Sequence, residues 1–295
     1  MEIELIVSYA IGLLIGLVMG LIGGGGSVVL PTFIYLLKIN EILATAYTLL
    51  LVGVTAIFGA VPRVRAKQVD FASVVTLGIP IFIGTMIVRY GIQHVPENLF
   101  SIGSVRVTRQ MAILLIFASI LLLSFASMAG FIGKNLKPRT NFRKDSPVAY
   151  YVTLMSCGLL IGLISATVGA GGGVMIVPLL VLVMGVEMKT VIGTSLTIMA
   201  IKSPVSFFLS DAITLRDQID WWFLLTFGSI MIVGAIIGSR LAKRVDSDSL
   251  KKGFAWFILL MACYIFIKEI FFGAPAEIEA GAALLGNGFG LCCLL

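Results

Sequence analysis

LIGGGGSVVLP, residues 21–31, interrupts an apolar run that begins near residue 5. Glycine is among the poorest helix formers, and four in a row weaken a helix far more than close helix packing requires. Pro31 closes the stretch. The sequence therefore predicts a break inside what would otherwise be one membrane-spanning helix.

The composition is that of an integral membrane protein. Of the 295 residues, 59% are hydrophobic and 12% are charged, with a mean hydropathy of +1.09, whereas soluble domains carry about 25% charged residues. Two short apolar runs, 28–37 and 174–185, follow glycine-rich stretches. Eight longer runs approach or exceed the roughly 20 residues that cross a bilayer. They lie near residues 5–22, 42–61, 71–88, 110–133, 148–168, 190–210, 221–239 and 253–272.

The chain contains an internal duplication. LLIGL occurs at residues 13–17 and again at 159–163, and the first glycine stretch matches GAGGGVMIVP at 169–178. Ordered matches at a nearly constant offset indicate a repeat of about 145 residues, with five apolar segments in each half. Two further pairs follow in the same order: ATAYTLL (44–50) with VIGTSLT (191–197), and QVDF (68–71) with QIDW (218–221).

An odd number of segments in each half predicts inverted repeats, because the second half then starts on the opposite side of the membrane. With ten alternating segments, the basic loops 62–70, 134–147 and 240–252 share one side. The positive-inside rule makes that side cytoplasmic, with both termini outside. If each glycine break only kinked a single span, the last two basic loops would lie on opposite faces. One loop, 89–109, fits poorly, because it carries Arg89 on the predicted outer side.

We therefore expect an all-α, multi-pass protein of the cell membrane, with eight long spans and two short segments. Its expected parts are a first membrane repeat at 1–133, a basic cytoplasmic linker at 134–147, a second membrane repeat at 148–273 and a flexible tail at 274–295. The net charge of +6 does not indicate nucleic acid, because the lysines and arginines concentrate in short loops. Four cysteines without CxxC spacing and a single histidine predict no metal or other cofactor.

The two glycine breaks are the first candidate binding sites. Unpaired backbone N–H groups cannot face lipid, so each break must be buried or line a polar cavity. A short helix that begins at Ser27 or Gly173 directs its free N–H groups and its positive dipole end toward the break, which suits an anion. The alternative is close helix packing, which we prefer for isolated glycines such as Gly53, Gly162 and Gly238. The candidate residues are Gly23, Gly24, Gly25, Gly26 and Ser27 in the first half, and Gly169, Gly171, Gly172 and Gly173 in the second.

Hydroxyl groups near the breaks are a second set of candidates. Thr194 and Ser195 lie in the GTSLT motif, and Thr48 lies in the matching part of the first half. These hydroxyls could donate to a substrate oxygen. Threonine and serine in membrane helices also bond back to their own helix, and that alternative stays open here.

Lys202 is the third candidate, about two-thirds along an apolar span. A charge at that depth costs several kcal/mol, so it marks a functional site by default. The alternative is snorkelling or pairing with a backbone carbonyl. We favour function, because Pro204 leaves carbonyls free nearby and because the first-half counterpart of Lys202 is Thr55. No acidic residue lies well inside a span, and Asp211 is placed at a segment end.

These motifs together resemble the TauE/SafE-type sulfite exporters, a family of anion permeases formerly catalogued as a domain of unknown function. The resemblance rests on the segments GGGGSVVLP and GAGGGVMIVPL, on GTSL and on the V-D-F and I-D-W helix starts, and it covers residues 8–272. It implies a transporter of small sulfur-containing or organic anions, with the glycine motifs and the GTS positions at the site. Residues 46–48 read AYT where that family commonly reads GTS.

The sequence thus favours a secondary transporter that moves a small anion, such as sulfite or a sulfonate, by alternating access around two opposed half-helix N-termini. Export is the favoured direction, because an inside-negative potential of about 100 mV favours anion exit by about 2.3 kcal/mol per charge. The expected partners are the anion and the lipid bilayer, and a homodimer is the assembly considered. A membrane anchoring or assembly protein is the alternative. An intramembrane enzyme is less favoured, because no catalytic residue is evident.

Overall fold

The protein folds into a bundle of helices. The computed structural model describes residues 2–24, 26–91, 98–102, 105–128, 147–168, 172–184 and 187–267. Its main helices are α1 (Glu2–Ile22), α2 (Gly26–Pro31), α3 (Glu41–Arg65), α4 (Phe71–Gly91), α5 (Arg109–Met128), α6 (Pro147–Val168), α7 (Gly173–Met184), α8 (Met188–Ser206), α9 (Trp221–Ala242) and α10 (Ser247–Ile267). Apart from Pro147, the predicted linker 134–147 lies outside the described residues, as does the tail 274–295.

Several helices are long and apolar enough to cross a membrane, as the sequence predicts. Within the described residues five meet that criterion, and two shorter apolar helices span Tyr9–Ile22 and Tyr151–Ala166. The five long ones are Ile42–Arg65, Phe71–Gly91, Met188–Thr214, Trp221–Ala242 and Ser247–Ile267. The multi-pass membrane prediction is therefore confirmed.

The segment between α4 and α5 differs from the all-helical expectation. It contains a short antiparallel hairpin of β1 (Asn98–Ile102) and β2 (Val105–Thr108), in which Ile102 pairs with Val105. These residues lack the long apolar runs by which the sequence identifies helices, and Val and Thr favour strands.

The most extensive helix contacts join the two halves of the chain. α1 packs on α9, α4 on α6, α3 on α8 and α5 on α10. α1 and α9 run in the same direction: the backbone of Met231 faces Gly16, and that of Ala235 faces Gly20, one turn further along both helices. The core is therefore built mainly between the repeats.

Small residues make this close approach possible. A Cβ atom at Gly16 or Gly20 would collide with a carbonyl oxygen of α9, and one at Gly238 would collide with the carbonyl oxygen of Leu17. Gly162 lies equally close to the Ile81 carbonyl in the α4–α6 pair. Such spacing is typical of membrane helices in tight contact. The packing role predicted for Gly162 and Gly238 is confirmed, and Gly53 likewise packs on the ring of Pro204.

α8 runs antiparallel to α3 and parallel to α4. Along α3, Gly53 faces Pro204 and Gly59 faces Leu196, so the partner numbers fall as the chain advances. Along α4, the partner numbers rise: Thr85 contacts Lys202, and Arg89 contacts Asp211. These directions fix which end of α8 meets which end of the first repeat.

Candidate anion-binding site

The glycine breaks of the two halves meet in the structure. Gly23 ends α1 with a φ of +76°, and its N–H donates to the Met19 carbonyl at 2.8 Å. Gly172 has a φ of +84°. A Cβ atom at Gly173 would lie 2.5 Å from the Gly23 carbonyl oxygen, and one at Gly24 would lie 3.2 Å from Cγ2 of Val174. The two breaks therefore form one buried junction.

Helix α7 leaves this junction with its N-terminus directed into it. The Gly172 carbonyl accepts from the N–H groups of Met175 and Ile176, each at 3.0 Å. The predicted start at Gly173 is confirmed, and α7 has 12 residues. In the first half, α2 starts at Gly26, one residue before the predicted start, and has only six residues before a π-helical turn, Thr32–Leu36. The turn continues α2 without a gap, so the two short helical segments, 26–36 and Gly173–Met184, are of similar length.

The structure describes only part of the predicted residues of the two breaks. Gly25, Gly169 and Gly171 lie outside the described residues. Ser27 lies in α2, and its side chain is outside the described part.

One face of α8 is directed at the junction. At about 100° per residue, Ser195, Met199, Lys202 and Ser206 lie within about 60° of one another around the helix. The Met199 sulfur lies 2.7 Å from the position that a Cβ atom would take at Gly173. Lys202 is therefore on the helix face that contacts the second break.

Lys202 is buried, with 2% of its surface exposed. Its Nζ donates to Oγ of Ser165 at 3.3 Å and to Oγ1 of Thr85 at 3.4 Å. The Ser165 oxygen in turn lies 2.9 Å from the Cβ position of Gly172. An ammonium group has three donor protons, and both of these partners are neutral. A hydroxyl of α6 thus links the buried cation to the residue that precedes α7.

Residues 8–265 match the family described as "Sulfite exporter TauE/SafE". This chain belongs to the TauE/SafE family. The match covers both glycine breaks, the GTSLT motif and Lys202, so the predicted resemblance is confirmed.

Curated relatives of this TauE/SafE protein are named as probable transporters. The chain is 24% identical over 279 residues to the probable membrane transporter protein YunE of Bacillus subtilis (strain 168), which covers 90% of this chain and 98% of the relative. It is 25% identical over 281 residues to a probable membrane transporter protein of Haemophilus influenzae, covering 88% and 96%. For one of Xylella fastidiosa, the identity is 26% over 268 residues, covering 89% and 95%. No solved structure matches the chain.

The predicted hydroxyl residues fall into two groups. Thr194 accepts from the Asp70 N–H at 3.0 Å and donates to the Thr190 carbonyl at 2.8 Å. Thr48 donates to the Ala44 carbonyl at 2.8 Å. By contrast, Ser195 Oγ is buried, and no described residue forms a hydrogen bond with it. Of the three, Ser195 has the hydroxyl available to a ligand, and substrate contacts of the other two stay a prediction.

Three further hydroxyls, on α8 and on α3, which packs against it, are buried without a hydrogen-bond partner among the described residues. They are Thr55 on α3 and Ser203 and Ser206 on α8. Buried polar atoms are normally paired, so unpaired ones mark strain or a binding role. This part of the bundle therefore buries more hydroxyl groups than helix packing alone would require.

Two charged residues form a buried ion pair that the sequence does not predict. Arg89, assigned to the outer loop 89–109, lies in the last turn of α4 and is buried. Asp211, assigned to a segment end, belongs to a π-helical turn, Phe207–Asp211, that continues α8 and buries the carboxylate. Their Nη1 and Oδ1 atoms lie 3.2 Å apart. Asp211 thus lies near the end of its span, Met188–Thr214, as the sequence predicts, and its carboxylate is buried there.

Proposed function

We propose that this protein transports a small oxyanion across the membrane and binds it between the Lys202 ammonium and the N-terminus of α7. The observation that carries the proposal is the position of Lys202. Its ammonium group is buried and donates to two neutral hydroxyls, and one of them, that of Ser165, lies next to Gly172. A buried charge without a countercharge is costly. An anion at this place supplies the missing charge.

The chemistry of the site favours an anion with several oxygen acceptors. Ser165 places a hydroxyl group beside the ammonium, whereas the Thr85 hydroxyl accepts from Lys202 and donates to the Ile81 carbonyl at 2.8 Å. The α7 N-terminus adds backbone N–H donors. Ser195 offers a further hydroxyl from the same face of α8. Sulfite and small sulfonates carry their charge on such oxygens. The family description, which names sulfite, agrees with this class.

The helix directions support two inverted repeats of five segments each. If the glycine breaks were kinks within single spans, eight alternating spans would make α3 parallel to α8 and α4 antiparallel to α8. The contacts have the opposite directions. We therefore propose eight long spans and two short segments, with the site at the meeting point of the repeats and alternating access as the mechanism.

Orientation and direction follow from the charges. Basic loops 62–70 and 240–252, together with the linker 134–147, lie on the cytoplasmic side of the cell membrane in this proposal, with both termini outside. Export is the favoured direction, because a potential of about 100 mV, negative inside, favours exit by about 2.3 kcal/mol per charge.

Anion flux in proteoliposomes tests the proposal. The purified protein is reconstituted, and uptake of sulfite, sulfate, thiosulfate and small sulfonates is compared with uptake by empty vesicles. We expect saturable flux of at least one of these anions, and its loss in Lys202→Met. Lys252→Met, a change at an exposed residue of α10, is the matched control and retains flux. Flux no higher than in empty vesicles for every anion would contradict the proposal.

A further inference from the structure

The Arg89–Asp211 ion pair joins three elements at one end of the bundle. Arg89 lies on α4 and Asp211 in the π-helical turn after α8. From α3, Thr45 accepts from Arg89 through its hydroxyl at 3.3 Å and through its carbonyl at 3.4 Å. α3 and α4 belong to the first repeat, and the turn belongs to the second. This pair therefore holds the two repeats together at this end.

The Arg89–Asp211 pair is buried but forms fewer hydrogen bonds than a buried ion pair usually does. A single contact, Nη1 to Oδ1 at 3.2 Å, joins the two side chains. Arg89 Nε and Asp211 Oδ2 are buried and have no hydrogen-bond partner among the residues that the structure describes. Buried arginine and carboxylate groups are frequently bidentate, and a buried pair stabilises a fold only when its remaining polar atoms are satisfied. The arginine thus keeps a donor available for a second acceptor.

The pair also lies on a polar line that starts at the candidate anion site. On α4, Arg89 is one turn beyond Thr85, which binds Lys202. On α8, Ser206 is one turn beyond Lys202 in the direction of Asp211, and its buried hydroxyl has no hydrogen-bond partner within the described part of the chain. Two facing helices therefore carry polar groups from the site to the ion pair.

We propose that Arg89 is a second anion-binding residue on the path out of the site, and that Asp211 occupies it as a tethered competitor. This inference rests on the proposed transport function. A carboxylate and a sulfur oxyanion present the same kind of oxygen acceptor to a guanidinium group. An anion that leaves Lys202 replaces the Asp211 carboxylate on Arg89. The contact between α4 and the π-helical turn then breaks, and the path opens at this end. When the anion has left, Asp211 returns and closes the path.

If Asp211 competes with the anion for Arg89, variants of the two residues should change KM in opposite directions. Asp211→Asn removes the competitor and leaves Arg89 free for the anion. If the carboxylate holds Arg89 for about nine-tenths of the time, its removal lowers the apparent KM roughly tenfold. Arg89→Gln raises KM, although Lys202 is intact. Asp211→Glu keeps the competing carboxylate, so its KM stays within about twofold of wild type.

A charge-swapped double variant separates binding from a purely structural role. Arg89→Asp combined with Asp211→Arg restores the ion pair between the same helices. If the pair only stabilises the fold, transport should recover in this double variant. If Arg89 binds the anion, flux should stay low, because the arginine now lies in the turn after α8 and not on α4. Recovery of wild-type KM in the double variant would overturn the inference.

Accessibility of Ser206 supplies a measurement that does not depend on variants of the pair. Ser206→Cys is made in a chain whose four native cysteines are replaced by alanine, and its reaction with a membrane-impermeant thiol reagent is followed in proteoliposomes. We expect several-fold faster labelling when the transported anion is added, because it displaces Asp211. Equal rates with and without the anion would overturn the inference. Anion flux by the wild-type protein, in vesicles of the same lipid composition, tests the proposed function separately. Absence of that flux would contradict the transport proposal itself.

Discussion

The two repeats share one backbone plan but differ at the centre of the candidate site. In the second repeat, Ser165 lies against the glycine break at Gly172, and Lys202 donates to Ser165. At the positions that match Lys202 and Ser165, the first repeat has Thr55 and Met19. Thr85, which completes the Lys202 cluster, corresponds to Ala235. Duplication therefore explains the helices and breaks, whereas the charge and its partners occur only once. This asymmetry agrees with the proposal that the polar cluster binds the ligand.

The largest expected effect comes from removing the charge that distinguishes the repeats. Lys202→Met should lower kcat/KM for the anion about 100-fold, because the ammonium is a buried cation at the site and hydrogen bonds to charged groups contribute up to roughly 3 kcal/mol. Anion flux in proteoliposomes measures the effect. Thr55→Val, at the matching position of the first repeat, should change flux by less than about threefold. Equal losses in both variants would mean that the site is symmetric.

The second-largest effect is expected at Gly172, where the backbone has a φ of +84°. A side chain there costs about 1–2 kcal/mol in strain, and its Cβ atom would press on the Ser165 hydroxyl at 2.9 Å. Gly172→Ala should therefore lower both thermal stability and flux, the latter about tenfold. Gly78→Ala is the control, because a Cβ atom at that helical position meets no atom within 4 Å. A normal flux in Gly172→Ala would separate the glycine break from the site.

Much of this organisation can be predicted from the sequence, because membrane helices must satisfy their own backbone. Apolar runs predict the spans, and the aspartates of QVDF and QIDW do begin α4 and α9: Asp220 accepts from the Phe223 N–H at 3.0 Å. Arg89 and Asp211 could not be placed in this way. Each lies near the end of an apolar run, where sequence alone does not distinguish a loop charge from a buried pair.

The hydrogen-bond partners that other helices contribute to Lys202 also cannot be predicted from the sequence. Thr85 and Ser165 come from α4 and α6, and only the packing of these helices brings them to Lys202. Ser165 does carry a weak signal, a hydroxyl in the last turn before the second break. Arg63 is similar: it is counted as a loop charge, yet its Nη2 donates to the Gly20 carbonyl at 3.1 Å, in the last turn of α1.

An intermediate effect is expected from Ser165, the hydroxyl between Lys202 and the second break. Ser165→Ala removes one hydrogen-bond partner of the ammonium and should raise the KM for the anion about threefold to tenfold, since a hydrogen bond to a charged group contributes about 1.5 kcal/mol. The measurement is the concentration dependence of flux. Ser156→Ala, on an exposed part of the same helix, should leave KM unchanged. A changed maximal rate with constant KM would instead indicate that Ser165 acts on the conformational step.

The smallest effect on transport is expected where the two repeats are most alike. Thr194 accepts from the Asp70 N–H, and Tyr47, its counterpart, accepts from the Asp220 N–H at 2.7 Å, so each repeat holds the helix start of the other. Thr194→Val and Tyr47→Phe should each lower the free energy of unfolding by about 0.5–1.5 kcal/mol, because a part-buried hydrogen bond to a helix start is lost. Thermal unfolding in detergent measures this loss, while KM stays within about twofold. A tenfold rise in KM in Thr194→Val alone would place that hydroxyl at the substrate and make the GTSLT motif part of the asymmetric site.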